Sequence, residues 1–182
     1  MKKIFLYVLL LNGLFAYSQE KYFTKNGTIT FEASVPSFEE VKATNNKVTA
    51  ILKTDTGELA ALALVKGFRF KIALMEEHFN ENYADSDTYP KAKFTGKIVA
   101  YDHQIFLQKK ERKIEIEGNL TFHGVTHKIK TPANLSFSNN SLKLLANFKV
   151  KPQDYRIEIP NLLRKKVAEE IDIQLNFTLE KK

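Results

Sequence analysis

The side chains in this sequence best suited to chemistry are four histidines, His78, His103, His123 and His127. His78 follows Glu77 and precedes Glu81, while His123 and His127 stand four apart. Imidazoles and carboxylates at such spacings could hold a zinc ion or pass protons. Neither pattern is complete. There is no cysteine, and no His-Glu-x-x-His run sets two imidazoles and a base on one helix face. A turn at Gly124 separates His123 from His127, so spacing alone does not put them on one side. Serine, histidine and aspartate occur without a nucleophile elbow, and no glycine-rich phosphate loop is present. These residues therefore point to no enzyme, no metal and no cofactor.

The elements that must position these residues are strands. Period-two alternation dominates the chain. In residues 28–35, Ile29, Phe31, Ala33 and Val35 take one face and Thr28, Thr30, Glu32 and Ser34 the other. Phe68, Phe70 and Ile72 alternate with Arg69 and Lys71; Ala92, Phe94, Gly96 and Ile98 with lysines and Thr95; and Ile114, Ile116, Gly118, Leu120 and Phe122 with polar neighbours. Residues 171–179 show the clearest pattern, with Ile171, Ile173, Leu175, Phe177 and Leu179 on one side. Hairpin turns are expected at residues 54–57, at His123 and Gly124, and at residues 138–141, where Asp, Asn and Gly tolerate left-handed backbone angles.

Two segments break the alternation. Ile72, Met75, Phe79 and Tyr83 fall at helical spacing, and Pro90 ends that run by forcing Tyr89 out of the helical region. Leu163, Val167 and Ile171 after Pro160 predict a second short helix over residues 160–170.

At the N-terminus, Lys2 and Lys3 precede an apolar run, and Ala16 and Ser18 follow it as small residues two apart. Residues 1–18 read as a secretory signal peptide, too short for a bilayer span of about 20 residues. Residues 19–182 form the single mature domain. An exported chain without cysteine has no disulfide and stands on its core alone. Loss of the two lysines lowers the net charge from +7 to +5, and the remaining lysines are spread along strands. That spread excludes the clustered basic face of a nucleic-acid reader.

The expected fold is all-β: a single antiparallel eight-stranded barrel, lipocalin-like, with one or two short helices. Closure removes sheet edges, and Gly96 and Gly118 are expected at bends or bulges. A two-sheet sandwich is the rival fold. An outer-membrane barrel of eight strands is excluded, because its lumen would have to hold the charged faces. Fourteen Phe and seven Tyr without Trp make the apolar faces large. They either pack solid or enclose a cavity, for which the small inward residues Ala33, Ala61, Ala63, Ala92, Gly96 and Ala146 would leave room.

Three stretches carry a resemblance: residues 78–98 ("HFNENYADSDTYPKAKFTGKI"), 118–129 ("GNLTFHGVTHKI") and 148–160 ("FKVKPQDYRIEIP"). With them the chain resembles the YceI-like family of exported, lipocalin-like polyisoprenoid-binding proteins, from about Phe31 to Leu179. Residues 60–71 depart from the family's Asp- and Thr-rich pattern and resemble the Bacteroidetes-type members. The resemblance implies a periplasmic or secreted protein holding an isoprenoid or other long-chain apolar lipid, a polyprenyl chain or quinone, lengthwise in the barrel. The residues expected to line that interior are Phe31, Ile51, Phe68, Phe70, Met75 and Phe79 from the first half. From the second half they are Phe94, Ile98, Leu120, Phe122, Phe148 and Phe177. The alternative is a ligand-free structural or partner-binding barrel filled by its own side chains. No nucleic-acid partner and no transmembrane span after signal cleavage are expected.

Overall fold

The computed structural model describes residues 20–182, so the expected signal peptide lies outside the described residues. Among the described residues nine strands form: β1 (Lys21–Glu32), β2 (Lys42–Lys53), β3 (Glu58–Leu64), β4 (Arg69–Phe70), β5 (Lys91–Ile98), β6 (Arg112–Phe122), β7 (Val125–Ser138), β8 (Ser141–Val150) and β9 (Ile171–Lys181). They pair antiparallel in the order β1-β9-β8-β7-β6-β5-β3-β2, and β2 returns to β1 to close an eight-stranded barrel. The two-residue β4 pairs with β2 through Ala43 and Thr44, beyond the stretch that β3 covers. The sandwich is thereby excluded. The expected hairpins are present, with His123 and Gly124 at φ 47° and 72°. Those positive angles at both central residues match the twist of the flanking strands.

Inward faces follow the alternation, with Phe177 and Leu179 of β9 fully buried. Charged side chains pair across the outer surface, as in Lys42–Glu32 at 3.0 Å and Lys130–Glu115 at 2.9 Å. Such exposed pairs contribute little stability, but they mark the outside of the barrel as a face for water. Among the described residues, no helix is long and apolar enough to cross a membrane.

The bulge sits in a different place from the one the glycines predict. The β5–β6 ladder runs without interruption from Lys93 to Ile98, with Gly96 directly opposite Gly118. A Cβ on Gly96 would stand 2.3 Å from the Glu117 carbonyl and 2.7 Å from the Phe94 ring. The glycine pair thus lets two strands and a covering ring approach closely. The register shifts instead between Thr24 and Ile29 of β1. Before the shift Tyr22 and Thr24 point inward; after it Gly27, Ile29 and Phe31 do. β2 changes phase opposite, from Ala43 and Asn45 to Val48, Ala50 and Leu52.

One of the two expected helices forms. Helix α1 (Ala73–His78) continues as a wider π turn (Phe79–Tyr83), closed by the Ala84 N–H donating to the Phe79 carbonyl at 2.8 Å. Residues 160–170 are turns rather than the expected helix: Leu163 N–H donates to Pro160 O and Lys166 N–H to Leu163 O, each three residues back. Ala168 N–H then donates to Ala33 O, tying the segment to the end of β1. The second helix is α2 (Gln104–Gln108), which no periodicity announces. It covers the barrel end opposite α1, burying Ile105 and Phe106.

Candidate functional site

A cavity of about 550 Å³ occupies the half of the barrel nearer α1. Along β9 it is walled by Ile171, Ile173, Leu175 and Phe177, a stretch that rises roughly 20 Å. Ala33, Ala61, Ala63, Ala92 and Ala146 also face it. These short side chains leave the space that larger ones would fill. Its floor is the packed half of the barrel, where Leu52, Leu135, Leu142, Leu144 and Leu179 are all but inaccessible. Its rim includes the exposed residues Phe38, Glu39 and Lys166.

Ten of the twelve residues named from sequence face this cavity: Phe31, Phe68, Phe70, Met75, Phe79, Phe94, Leu120, Phe122, Phe148 and Phe177. Two do not. Ile51 lies on the outer face, paired with Phe23 and Ala60, because β2 has changed phase and Ala50 and Leu52 point inward instead. Ile98 does point inward, but it lies below the floor in the packed core.

Four phenylalanines form one flank of the mouth. The Phe31 ring centroid lies 5.4 Å from that of Phe68, 5.5 Å from Phe70 and 5.2 Å from Phe79. Tilted and edge-on rings at these separations attract one another beyond their burial. The backbone that carries them is anchored by polar groups. Asn45, 1% exposed, donates to the Leu64 carbonyl at 2.9 Å and accepts from Lys47 N–H at 2.9 Å. Glu76 of α1 accepts from the Phe70 N–H at 3.2 Å and pairs with Arg69. Met75, His78, Phe79 and Tyr83 are thereby turned toward the cavity while Glu77 and Glu81 stay in water.

His103, His123 and His127 serve as packing and hydrogen-bonding groups, while the exposed His78 lines the cavity. His123 Nδ1 lies 2.9 Å from the Tyr155 carbonyl, so that nitrogen carries the proton and donates. Tyr89 meets the His123 ring edge-on at 4.8 Å, and His127 meets Tyr155 at 5.2 Å. His103 Nδ1 is 2.6 Å from the Thr54 carbonyl at the far end. Among the described residues no three His, Asp or Glu side chains gather where they could hold a metal. Tyr155 is buried and its phenolic oxygen finds no partner among the described residues. Burial, with a smaller contribution from Asp154, pushes its phenol up to about 12. Among the described residues Thr131 is the one other buried polar wall residue, and its hydroxyl already reaches the Asn147 carbonyl at 3.0 Å. The interior thus offers apolar contact and almost no fixed polar partner. An arrangement of this kind retains a chain-like hydrocarbon by shape and burial.

The segment between β8 and β9, expected as a helix after Pro160, is not among the lining residues named from sequence. Tyr155, Ile157, Ile159, Leu163 and Val167 all line the cavity. Alternation at residues 155, 157 and 159 was the available signal.

The sequence matches the YceI-like domain family over residues 21–179. No curated protein matches it in sequence. Several solved structures share the fold. A polyisoprenoid binding domain from Saccharophagus degradans implicated in plant cell wall breakdown superposes with a TM-score of 0.77 at 15% identity, covering 91% of this chain and 100% of that one. BcnA of Burkholderia cenocepacia gives 0.68 at 16% identity, over 83% of this chain and 95% of that one. A YceI protein of Campylobacter jejuni gives 0.65 at 15%, over 81% and 89%.

Proposed function

The chain belongs to the YceI-like domain family, and on that premise we propose that it is an exported lipid-binding protein. It holds a long apolar isoprenoid-like ligand, a polyprenyl chain or a quinone, lengthwise in the barrel. The observation that carries this reading is the blind, apolar cavity of about 550 Å³, within the usual range for small-molecule sites of roughly 300–1,000 Å³. Each buried methylene contributes about 0.8 kcal/mol, so three isoprene units offer on the order of 10 kcal/mol before ordering costs. Binding of this kind needs no catalytic group. The ligand named for the Saccharophagus degradans domain supports the choice of an isoprenoid. The alternative of a barrel filled by its own side chains fits poorly with five alanines facing an open volume. The signal-like residues 1–18 support export to the periplasm or beyond.

Solvent extraction of the purified protein followed by mass spectrometry tests the reading. A stoichiometric polyprenyl or quinone species is expected. Repeated absence of any bound lipid, together with failure to take up added polyprenyl alcohol or quinone, would overturn it.

A further inference from the structure

We infer that residues 160–168 form a lip that docks the cavity mouth against an anionic bilayer surface. The inference rests on the reading that the cavity takes an apolar chain. Such a chain is nearly insoluble in water, so its loading favours apposition of the mouth to a membrane.

Leu162 is 85% exposed, the most exposed large apolar side chain among the described residues. Arg164, Lys165 and Lys166 follow it, all exposed, with no acid between residues 160 and 168. Among the described residues no carboxylate lies within ion-pair distance of these three cations, whereas Lys66 and Arg69 across the mouth are taken by Asp87 and Glu76. An apolar side chain beside unpaired cations is the composition that enters the headgroup boundary of an anionic bilayer. The same segment is part of the mouth itself, since Leu163, Lys166 and Val167 line the cavity. The turn bonds from Leu163 to Pro160 and from Lys166 to Leu163 hold this arrangement, as does Arg164 Nε on the Ile159 carbonyl at 3.3 Å. Of the two acids that follow, Glu170 lies 3.8 Å from Lys149 and 4.0 Å from Lys151, and Glu169 is exposed.

On the opposite arc Glu76 and Asp87 are paired, but Glu77, Glu81 and Asp85 have no cation within ion-pair distance among the described residues. That arc is repelled by an anionic surface, so contact is one-sided and the barrel leans on its lip. The far end supplies a control. Leu107 is 61% exposed, but Glu111 directly follows Lys109 and Lys110 and offsets their charge, and the patch lies over the packed core, where no cavity opens.

The chain has no tryptophan, so a single introduced indole reports on its own surroundings. Leu162→Trp and Leu107→Trp variants of the full chain are titrated with vesicles of phosphatidylglycerol and phosphatidylcholine, and with phosphatidylcholine alone. The Leu162→Trp emission is expected to move to shorter wavelength, and to be quenched by brominated lipid, only with the anionic vesicles; the Leu107→Trp emission stays unchanged. Adding Arg164→Gln and Lys165→Gln to Leu162→Trp lowers the partitioning about 30-fold, at a factor of about five per cation. A water-exposed indole at position 162 in the presence of anionic vesicles overturns the proposal, and so does a response at position 107 instead. Lipid extracted from the same preparations separates the two readings: bound lipid without the spectral shift sinks the docking alone, and the shift without bound lipid sinks the carrier alone.

Discussion

The two halves of this barrel are built from the same alternating strands and end in opposite states. Below the level of Gly96, inward positions carry Leu52, Ile98, Leu135, Leu142, Leu144 and Leu179, and α2 inserts Ile105 and Phe106 from the end. Phe106 lies 6.3 Å from Tyr22, 6.2 Å from Tyr101 and 6.0 Å from Phe137, so the rings meet and the space is full. Above that level alanine stands at five positions that face the cavity, which the covering segments leave unfilled. Hydrophobicity alone does not distinguish these halves. Side-chain volume does, together with whether the capping segment drives a ring into the centre.

The contrast can be broken by removing the ring that fills the closed half. Phe106→Ala is expected to cost about 3–5 kcal/mol, read by urea unfolding, because a well-packed site cannot collapse around the loss. Phe148→Ala, whose ring already faces empty space, should cost under about 1 kcal/mol. Equal costs would mean that the upper half is as tightly packed as the lower. A filling substitution sharpens the same contrast. Ala61→Phe should change stability by less than about 1 kcal/mol, since it enters open volume rather than overpacking a core. The lipid recovered by solvent extraction should fall severalfold or disappear. Strong destabilisation would show that the hollow closes in solution.

The smallest effect concerns Tyr155, in the segment covering the mouth. Its folded phenol titrates near 12 against 10.0 when unfolded. The stability linked to this shift is fully present below about pH 10 and is lost as pH rises toward 12. Tyr155→Phe should therefore flatten the alkaline fall in melting temperature. At neutral pH it should shift stability by at most about 1 kcal/mol, because the hydroxyl it removes has no partner. An unchanged alkaline fall would mean that the phenol is solvated and the covering segment loose.

Which side chains turn inward was written in the sequence; how deep they lie was not. Period two assigns β9 and β5 correctly, and His123 with Gly124 marks its turn by chemistry alone. Ile98 obeys that period, yet it lies under the floor, because alternation carries no information about height along the barrel axis. Ile51 failed for another reason: the irregular β1–β2 ladder reverses the phase of β2 halfway along, and the residue that marks the irregularity, Gly27, lies on the partner strand β1. Gly96 and Gly118, which looked like bulges, serve close strand approach under the Phe94 ring, a contact visible only once β5 and β6 are paired. Helix α2 is too short for a periodic signal, and its two buried residues acquire meaning from the barrel end they close. The turns at residues 160–170 imitate helical spacing because successive three-residue turns also return apolar side chains to one side.

The plug made by α2 has a kinetic consequence. A sleeve open at both ends could pass its contents through; a cul-de-sac cannot. Whatever enters tail-first must back out along the same path, so a second molecule cannot push the first one forward. If the barrel holds a chain as proposed, its replacement is governed by how quickly the occupant withdraws, and the last atoms to enter are the first to leave.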